Sequence, residues 1–187
     1  MVILFCDTSA LIKLLISEPG SDQMLQASIE AEAIAVCRIT WAEVMAGMGR
    51  RGREVPGDAV MLEQAGVQLI QSWPLCTIVE VSQSLVETAG RFADVFALRA
   101  YDSVQLAAAH ELQINSEQPL TFACFDRRLK QAVALLQMEV LSWAAHSHLL
   151  AADLLRDGRD RAGGQLAGAD RHRRAAPRFP ARLGRSG

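Results

Sequence analysis

Residues 2–15, VILFCDTSALIKLL, restrict the possible folds of this chain more than any other stretch. Four apolar residues and a cysteine in succession, β-branched at Val2 and Ile3, describe a strand buried on both faces. The strand must end at Asp7, because an apolar helical period starts directly after Ser9. A buried strand that turns straight into a helix is the opening of a parallel α/β sheet. A carboxylate at the C-terminal end of such a strand faces the crevice where these sheets bind ligands. Asp7 and Ser9 equally suit the ordinary task of capping the next helix, so partners elsewhere in the chain must decide between the two.

At 187 residues, 50% of them hydrophobic, the chain is long enough to bury a substantial core, and one domain is expected. Residues 1–150 carry 10 Lys+Arg against 17 Asp+Glu, a net of −7, whereas residues 151–187 carry nine Arg against four Asp, a net of +5. An acidic body argues against a broad surface that coats nucleic acid, but leaves room for a local site neutralised by metal. Cys6, Cys37, Cys76 and Cys124 are far apart and lie in or beside apolar runs, which suits reduced, buried thiols in a cytoplasmic protein. A secretory signal is not expected, and no uncharged run is long enough for a membrane span.

Taken in order, the pattern predicts helices over 21–33, from Thr40, over 58–72, 82–97, 101–112 and 126–136, and strands over 35–39, 76–81, 120–125 and 138–142. On the first of these helices Met24, Leu25, Ile29 and Ala33 share the apolar face, and GRRGREVPG reads as a turn. Alternation of strands and helices implies a three-layer α/β fold, a central parallel sheet of about five strands flanked by helices. By about Ala151 the apolar period gives way to Arg, Gly, Ala and Pro. The expected division is therefore a folded domain over 1–145 and a disordered tail over 146–187.

Three further acids occupy junctions like that of Asp7: Glu43 in the helix that starts at Thr40, Asp102 near the start of YDSVQLAAAH, and Asp126 just after LTFACF. Four carboxylates at one crevice repel by about 4 kcal/mol per close pair at an intermediate dielectric. Bound protons or a divalent cation would relieve that repulsion, and oxygen-only ligands suit Mg²⁺ or Mn²⁺ rather than zinc. Local readings stand beside these. Thr40 and Glu43 form a T-x-x-E capping box, and Asp126 caps a helix with a basic first turn. Asp102 enters an apolar helix without a local partner, which favours function. His110, on an apolar helix, and Trp41, Trp73 and Trp143 read as core or interface residues.

The motifs Asp7-Thr8-Ser9-Ala10-Leu11, Thr40 to Glu43, Leu98-Arg99-Ala100-Tyr101-Asp102-Ser103-Val104-Gln105-Leu106-Ala107 and Asp126-Arg127-Arg128-Leu129 stand in the order and spacing of one family. Over residues 1–142 the chain resembles the PIN domains, specifically the toxin nucleases of the VapC type. The resemblance implies Mg²⁺-dependent endoribonuclease activity, with Asp7 and Asp102 as direct metal ligands, and Glu43 and Asp126 binding metal or orienting the nucleophile. Ser9 would hydrogen-bond an acid or the phosphate, while Arg99, Arg127, Arg128 and Lys130 would hold the RNA backbone. It further implies a cognate antitoxin and a homodimer, for which the faces carrying Met45, Met48, Met61 and Leu62 offer apolar surface. Two alternatives remain: a PIN-like module that binds RNA or protein without cutting, and a phosphoaspartyl switch with Asp7 as nucleophile. Nucleotide-binding folds fail on motif, since neither G-x-G-x-x-G after the first strand nor G-K-[ST] is present.

Overall fold

The computed structural model describes residues 2–142. The expected tail over 146–187, and Trp143, lie outside the described residues.

Strand β1 (Ile3–Cys6) is buried at every position and leads through Asp7 into α1 (Thr8–Leu15). There follow α2 (Ser21–Glu30), β2 (Ala33–Cys37), α3 (Thr40–Glu54), α4 (Ala59–Ser72), β3 (Thr77–Val79), α5 (Gln83–Phe96), α6 (Ala100–Asn115), β4 (Leu120–Ala123), α7 (Arg127–Leu135) and β5 (Glu139–Val140). The five strands form one parallel sheet in the order β3-β2-β1-β4-β5. The chain lays β2 and β3 on one side of β1, then crosses to lay β4 and β5 on the other. The sheet therefore reverses its winding at the β1/β4 boundary, where α/β folds form their crevice.

Two helical layers cover the sheet. Ile3, Phe5, Ala35, Cys37, Leu120 and Phe122 face a core shared with Leu85 and Ala89 of α5, Leu106 to Ala109 of α6, and Leu129 and Val133 of α7. Phe5 and Phe122, opposite each other in register, stack with centroids 5.2 Å apart, a geometry worth about 0.5–1.5 kcal/mol beyond the area buried. The alternate residues Leu4, Ile34 and Val36 are as fully buried and point to the opposite face. There α1 packs against α2, α3 and α4, whose Met24, Val44 and Leu69 are buried.

The structure corrects several boundaries. Helix α2 stops at Glu30, so Ala33 opens β2, two residues ahead of the predicted strand, and Ile29 is 63% exposed instead of facing the core. The GRRGRE run continues α3 to Glu54 instead of turning. Gly47 and Gly52 of α3 face neighbouring helices: a Cβ on Gly47 would make ordinary contact with Ile12 of α1 at 3.7 Å, and one on Gly52 with Leu62 of α4 at 3.4 Å. Met48 is core, whereas Met45 is 46% exposed. Trp41 and Trp73 meet edge to face at 5.1 Å, and His110 and Phe92 form a T-shaped pair at 5.6 Å. None of the four cysteines is in a disulfide, and three of them are buried. No described helix is long and apolar enough to cross a membrane.

Candidate functional site

Asp7 follows β1 at the switch point and is 6% exposed. Its backbone N–H donates to the Ala123 carbonyl at 3.1 Å, which ties it to the end of β4. Its carboxylate caps α1, accepting from the Ala10 N–H at 2.8 Å, so the expected capping role is real. It also accepts from Ser9 Oγ at 2.8 and 3.0 Å, and Ser9 Oγ in turn accepts from the Phe125 N–H at 2.9 Å. One hydroxyl thus fixes Asp7 to the loop that leaves β4. Among the described residues no Lys or Arg forms an ion pair with Asp7. Burial pushes its carboxyl from 3.8 up to about 7; the Ser9 and Ala10 hydrogen bonds oppose this, and the charges of Glu43 and Asp102 add to it. A cap needs only the acceptor oxygen. The cost of burying this carboxyl among other acids is not explained by capping.

Glu43 is not part of a capping box. Thr40 is already inside α3, the N-cap is Ile39, and no side chain caps that helix. Thr40 is buried and Glu43 turns across the sheet ends. There its Oε2 accepts from Thr8 Oγ1 at 2.6 Å and from Gln105 Nε2 at 2.7 Å. Asp102 stands half-buried in the first turn of α6. Burial raises its carboxyl above the usual range, as does the charge of Asp126, with Arg99 opposing and Glu43 adding. Asp126 is exposed and caps α7 through the Leu129 N–H at 2.9 Å, the role its local sequence suggested. Asp102 and Asp126 line one open depression of about 340 Å³, rimmed by Arg99, Arg127 and Arg128.

All four acids therefore gather at the same end of the sheet and sense one another's charge. The donor set is oxygen throughout, as a hard divalent cation requires. Among the described residues no three His, Cys, Asp or Glu side chains converge as the ligands of a single ion. Glu43 is held by Thr8 and Gln105, and Asp126 by its own helix. Field and donor type fit a divalent cation. Cys6 and Cys124 flank the site, and burial raises both thiols, so they stay neutral.

Gln105 is the residue that the sequence did not single out. It lies three positions after Asp102 on α6, is 2% exposed, and its amide reaches Thr8, Thr40 and Glu43. The one available signal was a polar amide within VQLAAA, where every other side chain is apolar.

The profile of the PIN domain family matches residues 4–135. Ribonuclease VapC45 of Mycobacterium tuberculosis (strain CDC 1551 / Oshkosh) is 30% identical over 129 residues, which make up 69% of this chain and 88% of that protein. FitAcB from Neisseria gonorrhoeae superposes with a TM-score of 0.54 at 19% identity, covering 76% of this chain and 97% of that one. VapBC2 from Rickettsia felis, crystallised bound to a DNA fragment from its promoter, gives a TM-score of 0.52 at 14% identity over 76% of this chain and 99% of that one. At these identities the two structures speak for the fold alone.

Proposed function

The chain belongs to the PIN domain family, with a VapC ribonuclease among its relatives, and on that footing we propose that it is an endoribonuclease using Mg²⁺ or Mn²⁺ and the toxin of a toxin–antitoxin pair. The observation that carries the reading is Asp7: a carboxyl buried at the sheet's switch point within the field of Glu43 and Asp102, with no ion-pair partner among the described residues.

Asp7 and Asp102 would hold the cation, with Glu43 and Asp126 completing the ligation or orienting the attacking water. When bound, such an ion supplies positive charge to the phosphate and lowers the pKa of a water. The protein's own contribution is orientation. Ser9 and the Ala10 N–H fix Asp7, and Thr8 and Gln105 fix Glu43. Arg99, Arg127 and Arg128, on the rim beside Asp102 and Asp126, would take the flanking phosphates without reading sequence.

In the same reading the protein is cytoplasmic and pairs with a cognate antitoxin, an extended or helical peptide that reaches the acidic site with an arginine. It also forms a homodimer, to which exposed Met45 and the half-buried Met61 and Leu62 contribute apolar surface. The decisive experiment incubates purified protein with a panel of structured RNAs in Mg²⁺ or in EDTA, beside Asp102→Asn. Cleavage that needs the metal and falls at least about 100-fold in the variant is expected. Metal binding without cleavage of any RNA would favour the non-catalytic module, and phosphate trapped on Asp7 would favour the phosphoaspartyl switch.

A further inference from the structure

Gln105 is a buried amide that satisfies only half of its hydrogen-bonding capacity. Its Nε2 lies 2.7 Å from Glu43 Oε2, 2.9 Å from Thr40 Oγ1 and 3.2 Å from Thr8 Oγ1. Its Oε1 is buried without any partner among the described residues. An orphaned carbonyl in a well-packed core has a structural reason only if the other end of the amide is needed where it is. Turning the amide over would bring its oxygen against the Glu43 carboxylate, so the donor end is held there by Glu43's charge. A leucine or methionine in the same place would fill the space and remove that orphan, but it would leave Glu43 without its amide donor and the buried Thr40 hydroxyl without its partner.

The two donors on Glu43 act on one oxygen. Thr8 Oγ1 and Gln105 Nε2 both reach Oε2. Oε1 accepts no hydrogen bond among the described residues and is not one of the buried unpartnered atoms. The carboxylate is thus pinned at one oxygen from α1 and from α6, and its other oxygen is available to the site. Asp102 lies three residues earlier on α6, so one helix carries an acid of the site and the clamp on another acid.

Resting on the proposal that Glu43 serves an RNA-cleaving metal site, we infer that Gln105 is a positioning residue that acts through Glu43. It holds Oε2 with a neutral donor, which fixes the direction of Oε1 without cancelling the negative charge that attracts a cation.

The test compares Gln105→Met, Thr8→Val, Glu43→Gln and the Gln105→Met/Glu43→Gln double variant with the wild type. Four quantities are read: Tm in EDTA, Mn²⁺ affinity by calorimetry without RNA, and kcat and KM on a cleaved RNA. Gln105→Met removes the orphaned carbonyl but leaves the buried Thr40 hydroxyl without its partner, so the Tm should stay near that of the wild type. It should weaken Mn²⁺ about 10-fold or more, the usual scale for losing a partner of a metal ligand. kcat should fall by a similar factor with KM within about threefold of wild type, and the double variant should be no slower than Glu43→Gln alone. Wild-type Mn²⁺ affinity and kcat in Gln105→Met would overturn the inference, as would an equal loss in both Glu43 backgrounds. Should Gln105→Met fail to fold, Thr8→Val removes the other donor and must show the same loss of affinity and kcat; wild-type values there overturn the clamp. If the wild type cuts no RNA, the ribonuclease proposal fails, while Mn²⁺ affinity still decides for or against the clamp.

Discussion

Replacing Asp7 by Asn separates the cap from the charge. Asn offers the same oxygen to the Ala10 N–H and to Ser9, and caps helices about as well as Asp, so the local geometry survives. What disappears is a carboxyl that burial, helped by Glu43 and Asp102, has lifted from 3.8 to about 7. The folded protein binds that proton more tightly than the unfolded chain does. The group's contribution to stability is therefore full below about pH 4 and is lost as the pH rises through about 7. The displacement corresponds to about 4 kcal/mol at most. Asn has no proton to lose, so in EDTA the variant should match the wild type near pH 4 and exceed it by up to that amount at pH 8. For a domain of this size the gap is about 8–16 °C in Tm. Denaturant titrations of both proteins across pH 4–8 measure it. Adding Mg²⁺ at about a hundred times Kd should return about 2.7 kcal/mol to the wild type and almost none to the variant. Stability curves that run parallel over the whole pH range would refute the reasoning, because they would leave Asp7 as a cap and nothing more.

Three further outcomes are expected. Ser9→Ala deprives the Phe125 N–H of its acceptor and Asp7 of a hydrogen bond; it should cost about 1–3 kcal/mol in denaturant titration and move the Asp7 midpoint, followed by carboxyl-carbon NMR in EDTA, further upward. Gly20→Ala imposes a side chain on a residue at φ +93° whose Cβ would lie 3.0 Å from Phe125 Cε1; a loss of about 1–3 kcal/mol should appear as a lower Tm, and an unchanged Tm would mean that both the turn and Phe125 relax around the new side chain. Arg127→Ala and Arg128→Ala should each flatten the salt dependence of RNA binding, read by anisotropy in EDTA, by about 0.7 in the log–log slope; an unchanged slope would return both to the status of solvated rim charges.

The parts of the fold legible in the sequence were those set by local chemistry. VILFC could only be a buried strand, and Asp7 and Asp126, both read as possible helix caps, each precede a helix that starts one residue later. Illegible parts depended on distant partners. Residues 29–35, IEAEAIA, suit a helix as well as a strand, and only pairing of Ala33 with Ile3 of β1 decides where the strand begins. GRRGRE resembles a turn because glycine usually interrupts helices, yet here the run continues α3, and its Gly52 faces Leu62 of α4. Glu43 followed a capping-box pattern, and the partners that claim it come from positions 35 and 62 residues away. Gln105 offered only a lone amide within an apolar run, and that amide gains its meaning only once α1, α3 and α6 meet.

That meeting explains a regularity in how the acids are held. Asp7 is fixed by a hydroxyl and a backbone N–H, Glu43 by a hydroxyl and an amide, and Asp126 by a backbone N–H. Every one of these donors is neutral. The basic side chains Arg99, Arg127 and Arg128 stand at the rim of the depression. An arginine or lysine in the place of Gln105 would orient Glu43 more strongly than an amide does, but it would also cancel the charge it oriented. The site instead keeps its field, and burial at Asp7 concentrates it: a carboxyl lifted to about 7 is one that a cation can recover for the ionised state. Neutral donors at the acids and cations at the rim divide the labour, the first fixing where a divalent ion would sit and the second where the phosphates beside it would lie.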